Sequence, residues 1–283
     1  MNNTQKIIKI FAIVLAGLII INIFSFAIQL ISSFIPSDNT NGKDYYEVYQ
    51  NVNSIDLESS ISEIVIENGN EFSVKATDIK NEFTSKVENG VLKIEEKSKK
   101  LFNTKKGGNI TVTVPSNILE KLEIDHGAGV LTIRDISVNY FELEHGAGKV
   151  LMENVTFSNT NIDGGAGEIV IASSKLNNMD LDLGAGRLEL EALVTGNSNI
   201  DCGVGKVDVK LLGKRNDYQI IVNKGIGKVT IDNNDYKDGS IVGNGYNKLN
   251  IDGGVGSISV NFKENFWFYY LKQLLKYCFN ISW

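Results

Sequence analysis

The amino-acid sequence predicts an all-β fold in which coils of about 19 residues stack into a β-solenoid. Seven Gly-x-Gly units recur along the chain, and their first glycines are separated by 19, 19, 19, 19, 22 and 29 residues. Apolar and polar residues alternate on both sides of each unit, which is the pattern of a half-buried strand. A long apolar run near the N-terminus adds a transmembrane helix, and an aromatic C-terminal segment adds a short amphipathic helix.

Residues 1–35 are predicted to form an uncleaved transmembrane anchor. The stretch 10–31 carries no charge, and a helix of that length spans about 33 Å, enough to cross a bilayer core. Lys6 and Lys9 precede this stretch, and no basic residue follows it until Lys43. The positive-inside tendency therefore places the N-terminus in the cytoplasm and the bulk of the chain outside. A cleaved signal peptide is the alternative, although the run is long and lacks an A-x-A site.

Each repeat is predicted to fold as a strand, a glycine corner and a second strand. The aligned units, such as LEIDHGAGVLTI and FELEHGAGKVLM, place aliphatic residues three before the first glycine and four and six after it. Such units, stacked ~4.8 Å apart, build a continuous core that one unit alone cannot form. The glycines should permit positive φ and a close approach of neighbouring coils. The corner glycines are Gly127, Gly129, Gly146, Gly148, Gly165, Gly167, Gly184, Gly186, Gly203, Gly205, Gly225, Gly227, Gly254 and Gly256.

The repeat domain is predicted to extend over residues 36–262. Its early part is less regular, but NSIDLESSISEIVI fits the template with Ser60 and Ser62 in place of the two glycines. Degenerate strands of this kind suit the opening coils of a solenoid, which need a polar cap. The insertion DYKDGSIVGNGY before the last repeat is predicted to be a surface loop.

Residues 263–283 form an aromatic tail that is amphipathic when arranged as a helix. Trp267, Tyr270 and Leu274 share one face, and Lys272 and Lys276 lie opposite. The tail could cover the open end of the last coil, which otherwise exposes a strand edge. It could also lie in a membrane interface or dock on a partner, and the sequence leaves these alternatives open.

The chain is similar to a known family from about residue 45 to residue 262. An early set of strands contains GVLKI at 90–94 and TVTVP at 111–115, and D-x-G-x-G units follow. In this combination the chain resembles the toast-rack family of candidate bacterial adhesins, which occurs in LiaG-like envelope proteins. The resemblance implies a single-span, surface-exposed β-solenoid with a role in adhesion or envelope stress and no established enzymatic activity. The chain departs from the pattern at Asn223, which replaces the acidic residue, and in its aromatic tail.

An acidic residue stands two positions before the first glycine in six of the seven repeats. Stacking predicts that these carboxylates lie close together. We expect a turn role, in which the side chain accepts hydrogen bonds from the following backbone N–H groups. A cation-binding ladder is the alternative, because hard cations take several oxygen ligands and relieve like-charge repulsion. The acidic positions are Asp125, Glu144, Asp163, Asp182, Asp201 and Asp252.

Two histidines, His126 and His145, occupy the same position in successive repeats and are predicted to stack. Two imidazoles could bind a metal, but later repeats carry Gly or Leu at this position, so a structural ladder is expected. Cys202 and Cys278 are 76 residues apart and form neither a disulfide framework nor a metal motif. The net charge of -6 does not favour nucleic-acid binding. No hydrolase motif is recognisable, so we expect no catalytic residue, no cofactor and no metal.

The sequence therefore predicts a non-enzymatic, membrane-anchored extracytoplasmic module at the bacterial cell envelope. Its partner would be another envelope protein or a cell-wall polymer, contacted through the long faces of the solenoid. One alternative is an accessory or sensor protein of an envelope-stress system that acts through the tail. A glycan-active β-helix enzyme is the second alternative, because paired carboxylates could cleave or bind glycans.

Overall fold

The computed structural model describes residues 42–98, 107–116 and 119–263, which contribute to one sheet of fifteen strands. Within these ranges no helix is long and apolar enough to span a bilayer. The predicted anchor and the predicted C-terminal helix lie outside the described residues. One 3₁₀ turn occurs at Arg215–Asp217. The strands are β1 (Lys43–Tyr49), β2 (Ser54–Gly69), β3 (Phe72–Ile79), β4 (Glu82–Glu88), β5 (Val91–Lys97), β6 (Asn109–Pro115), β7 (Leu119–Arg134), β8 (Ser137–Glu153), β9 (Thr156–Asn177), β10 (Met179–Thr195), β11 (Asn197–Leu212), β12 (Tyr218–Ile231), β13 (Asn234–Tyr236), β14 (Ser240–Val242) and β15 (Asn247–Lys263).

The stack consists of long strands that each pass through one corner, which is Gly-x-Gly in seven strands and Ser60-Ile61-Ser62 in β2. We call such a strand a rung, with a first arm before the corner and a second arm after it. β7 and β8 pair in parallel along both arms, so that Ile124 faces Leu143 and Gly129 faces Gly148. The same equivalence continues through β9, β10 and β11. The predicted all-β solenoid is therefore confirmed.

The last two rungs do not follow one another in space as they do in the chain. β15 lies between β11 and β12 and pairs in parallel with both. The Gly203 carbonyl oxygen accordingly lies against Gly254, and the Gly254 carbonyl oxygen lies against Gly225. The chain thus passes over one rung position after β11, forms β12, and later fills the vacant position with β15. The intervals of 22 and 29 residues between repeats correspond to this detour.

At the N-terminal end of the stack, β2 is the first complete rung and pairs in parallel with β7, with Ser62 facing Gly129. Its other side is covered by two separate strands, β5 along the first arm and β6 along the second. β4 joins β5 through a turn at Asn89 and Gly90, which both have positive φ, as a type I′ hairpin requires. β3 and β1 then extend the sheet beyond β6 in antiparallel pairing.

At the other end, two short antiparallel strands cover the edge of β12. β14 pairs with its first arm and β13 with its second arm. The segment DYKDGSIVGNGY, predicted to be a loop, therefore contributes to both covering strands. The physical reason is that an uncovered parallel strand exposes unpaired N–H and C=O groups. Since β15 has neighbours on both sides, the coil that precedes the aromatic tail is not the open end of the stack.

The inward-facing residues of both arms form one continuous core. Phe141 and Phe157 stack within it with 4.3 Å between ring centroids. Burying each large aliphatic or aromatic side chain contributes about 1.5–3 kcal/mol, so the aligned rows supply most of the driving force for stacking. The first-arm row is Ile124, Leu143, Ile162, Leu181, Ile200, Ile251 and Val222, and the second-arm row is Leu131, Val150, Ile169, Leu188, Val207, Ile258 and Val229, all buried.

The corner of β8 shows why the repeat requires glycine. A Cβ atom on Gly146 would lie 2.4 Å from the Gly127 carbonyl oxygen, and one on Gly148 would lie 2.0 Å from the Gly129 carbonyl oxygen. Gly148 also has a φ of 130°, in the region that L-residues with a side chain avoid. The first glycine is therefore needed for close approach alone, and the second for close approach and for its backbone angle.

Replacing Gly148 with alanine should lower the free energy of unfolding by about 2–4 kcal/mol, because a steric clash adds to backbone strain. Gly146→Ala should also destabilise, through the clash alone. Gly239→Ala is the matched control, since Gly239 has a φ of 71° but no atom within 4 Å of the added Cβ. It should cost about 1–2 kcal/mol. Urea unfolding of the full-length protein followed by circular dichroism measures all three, and equal losses at Gly148 and Gly239 would contradict the role of close approach.

Candidate binding faces and a buried polar column

The six acidic residues that precede the corners form one row on the outside of the first arms. The register places Asp125 beside Glu144, and each following rung up to β15 adds one acidic residue to the row. Adjacent strands in a sheet are ~4.8 Å apart, so each acid lies next to another of the same charge. In spatial order the exposed row is Asp125, Glu144, Asp163, Asp182, Asp201 and Asp252.

The row is longer than the sequence analysis predicted. Glu58 of β2 faces Asp125, and Glu95 of β5 faces Glu58. Lys97 neutralises these two, with Nζ 2.9 Å from a Glu58 carboxylate oxygen and 3.1 Å from one of Glu95. Glu58 stands two positions before Ser60, so the repeat template could have found it. Glu95 lies on a strand without a Gly-x-Gly unit, and no sequence signal marked it.

The six carboxylates form no salt bridge within the described ranges. None of them takes part in an ion pair there, and no hydrogen bond joins one of them to the corner backbone. The expected turn role is therefore not observed. Burial raises the pKa of Asp182, and the nearby carboxylates of Asp180, Asp201 and Asp163 raise it further. Among residues 42–98, 107–116 and 119–263, no three His, Cys, Asp or Glu side chains come together as a metal site.

The outside of the second arms has a different electrostatic character. Lys149 pairs with Glu168 of the next rung at 2.8 Å, and Lys228 pairs with Asp235 at 2.9 Å. Further pairs join Lys206 to Asp208, Arg187 to Glu189 and Arg134 to Glu67. Exposed ion pairs add little stability, but they neutralise this face. The stack thus has one acidic face and one charge-balanced face.

A polar column lies inside the stack at its N-terminal end. The residue directly before each corner faces the core, and the register aligns Glu96, Ser59, His126 and His145 in that order from β5 to β8. All four are buried. Beyond His145 the column continues with Gly164, Leu183, Cys202 and Gly253 and ends at Lys224.

The Glu96 side chain substitutes for the corner that β5 and β6 do not form. Its carboxylate accepts hydrogen bonds from the Ser59 hydroxyl at 2.9 Å and from the backbone N–H groups of Ser60 and Ile61 at 3.0 and 3.3 Å. The Asn81 side-chain amide also donates to it. Several donors of this kind make a buried carboxylate tolerable. Sequence reasoning missed Glu96 because it lies outside the Gly-x-Gly pattern.

The histidine rings lie against one another, with 4.9 Å between their centroids. Nε2 of His126 is 3.1 Å from the Ser62 carbonyl oxygen, and since a carbonyl only accepts, Nε2 carries the hydrogen. Neither ring nitrogen of His145 has a hydrogen-bond partner in the described part of the chain. Burial lowers the pKa of both imidazoles, and the neighbouring His145 ring lowers that of His126 further, to about 4.

Comparison with known proteins assigns the chain to a family. Residues 52–260 match the family described as Toastrack DUF4097. The chain belongs to the Toastrack family. Similar solved structures include a candidate adhesin from Bacteroides fragilis, which is 16% identical, with 77% of this chain and 97% of that chain covered and a TM-score of 0.48. A candidate adhesin from Parabacteroides distasonis is 14% identical, with 78% and 98% covered and a TM-score of 0.39.

A candidate cell adhesion protein from Clostridium sporogenes is 16% identical to this Toastrack chain, with 78% and 99% covered and a TM-score of 0.30. No curated protein matches the chain. Family membership is therefore established from the sequence match.

In this Toastrack chain, replacing Asp163, Asp182 and Asp201 together with asparagine should raise the free energy of unfolding at pH 7. We expect a gain of about 0.2–0.5 kcal/mol per site, because like-charge repulsion is removed. The gain should shrink at high salt, which screens exposed charges. It should also shrink as pH falls, because the raised pKa of Asp182 means that protonation of this carboxylate stabilises the wild-type fold. Urea unfolding at low and high salt measures this, and a loss of stability would instead indicate that the carboxylates serve the corners.

Proposed function

We propose that this chain is a non-enzymatic, adhesin-like binding or scaffold module of the bacterial cell envelope. The observation that carries the proposal is the repetition of the acidic face, which presents one carboxylate per rung in six consecutive rungs, β7 to β11 and β15. Solenoids use extended surfaces of this kind to bind elongated partners. Membership of the Toastrack family supports the fold on which this face is built.

The acidic first-arm face is the proposed contact surface, because the six carboxylates from Asp125 to Asp252 form no salt bridge within the described fold. A partner with amine or guanidinium groups would complement it electrostatically. A cell-wall polymer with free amines is the first choice, since a repeating polymer matches a repeating face. A basic strip on another envelope protein is the alternative.

Residues 1–35 are proposed to anchor the module in the membrane. The charge-free stretch 10–31 and the two lysines before it support a single span with a cytoplasmic N-terminus. The repeat domain is then extracytoplasmic, where cell-wall polymers and other surface molecules are accessible.

The binding proposal predicts a difference between the two faces. Full-length protein carrying Asp163→Asn, Asp182→Asn and Asp201→Asn should co-sediment with isolated cell walls at least about tenfold less than wild type, because the interaction depends on these charges. The wild-type interaction should also weaken with added salt. Sedimentation with quantitative immunodetection of the bound fraction gives both results.

The matched control is Glu168→Gln, Glu189→Gln and Asp208→Asn, which removes the same number of carboxylates from the charge-balanced face. It should leave cell-wall binding within about twofold of wild type. Equal losses in the two triple variants would contradict a specific role of the acidic face. No loss in either, with both proteins folded, would remove the basis of the proposed function.

The topology has its own test. In intact cells, added protease should digest residues 36–283 while a tag at the N-terminus stays protected, because positively charged flanks remain in the cytoplasm. Membrane fractionation in parallel should recover the undigested protein with the membranes. Protection of the repeat domain in intact cells and digestion only after lysis would place it inside and overturn the proposed location.

A further inference from the structure

The buried histidine pair is not required by the packing of the stack. The same inward column holds Gly164 and Leu183 in the next two rungs, so small and aliphatic residues satisfy the geometry. His145 is nevertheless buried with both ring nitrogens lacking a partner within the described residues. An unpartnered polar group in apolar surroundings is destabilising and calls for an explanation.

We propose that the stacked His126–His145 pair is an acid-sensitive latch, in which uptake of one proton opens the corner shared by β2, β7 and β8 and loosens the N-terminal strands β1 to β6 from the repeats. This inference concerns control of the fold by pH and is independent of the proposed binding function. The proton comes from solvent and adds to a ring nitrogen, so that one N–H bond forms and the ring gains a positive charge.

The Ser62 carbonyl oxygen accepts a hydrogen bond from His126, but no acidic side chain among the described residues is paired with either ring to balance a charge. On the β2 side the neighbours are the uncharged Ser59 and Ser62, and Glu96 of β5 lies one position further along the column, behind Ser59. The Glu96 carboxylate already accepts four hydrogen bonds. On β7 and β8 the adjacent acids, Asp125 and Glu144, are exposed on the opposite side of the sheet.

On the β9 side the neighbour of His145 is Gly164, beside the exposed Asp163. Aliphatic groups fill the space that a side chain at Gly164 would occupy, because a Cβ there would lie 2.9 Å from Cδ1 of Ile169 and 3.2 Å from Cδ1 of Leu183. A charged His145 would therefore face hydrocarbon, and it would also face the His126 ring at 4.9 Å. The charged ring can be solvated only if the corner opens to water.

The direction of the pH dependence follows from the lowered pKa values of the two imidazoles. Such a histidine has a lower pKa in the folded than in the unfolded chain. The stability that it contributes is fully present at pH values above its ordinary pKa and is lost as the pH falls towards the pKa in the fold. For His126 the pKa falls from 6.5 to about 4. The latch is therefore closed at neutral pH and opens progressively across this interval.

The test uses the full-length chain in non-ionic detergent. The sequence contains only two histidines, so every histidine ring signal belongs to the pair. Ring C–H signals of both histidines in NMR spectra should titrate below pH 6.5, with those of His126 near pH 4. Hydrogen exchange should show that amides at 59–62 and 126–129 lose protection between pH 6.5 and pH 4, after correction for intrinsic rates. Because the pKa of His126 falls from 6.5 to about 4, protonation of this ring can change the equilibrium constant for opening by up to about 300-fold. Amides of β11 should remain protected.

The variant His126→Leu with His145→Leu separates the latch from carboxylate titration, since Leu183 already fills the same position in β10. It should keep the corner amides protected at acidic pH. Retention of the full acid response in this variant would overturn the proposal and would point to Glu96, as would ring signals that titrate near pH 6.5 in wild type. If the double variant does not fold, ring titration in wild type and in His145→Leu tests the proposal instead. Removing the His145 ring should raise the pKa of His126, and an unchanged His126 titration would contradict the pairing of the two rings.

Discussion

The close approach of backbones at the glycine corners is the constraint on which the rest of the structure depends. Each corner carbonyl oxygen occupies space where the next rung would place a Cβ atom, as Gly127 does for Gly146. Rungs that fit together this closely cannot slide past one another, so equivalent residues are held in register. The aliphatic rows inside and the carboxylate row outside are both consequences of that register.

The repeated part of the fold was predictable because its signal is periodic. A constant interval and two-residue alternation place Ile124 beside Leu143 whatever the details of the connection. The template even located β2, in which Ser60 and Ser62 replace glycine. The order of β12 and β15 was not predictable, since both carry the same motif and either would fit beside β11. Only the altered spacing around Gly225 hinted at the exchange.

The position of the acidic row could be predicted from the sequence, whereas the local role expected for its carboxylates is not observed. Sequence reasoning placed the six acids in one row but assigned them a local turn role. In the structure the residues on either side of the first corner glycine take part in the parallel ladder between rungs, and no hydrogen bond joins these acids to the corner backbone within the described residues. Glu96 is the informative exception, because it accepts from Ser60 and Ile61 where the ladder is interrupted. Only long-range pairing could reveal it.

The location of the polar column has a physical rationale. In a linear stack each rung contacts only its neighbours, so stability is close to a sum of local terms. Glu96, His126 and His145 are the only buried Asp, Glu, His, Lys or Arg side chains of the described ranges, and they lie together on β5, β7 and β8, on the N-terminal side of the later repeats. A conformational response at this end can therefore leave the acidic face of the later rungs unchanged.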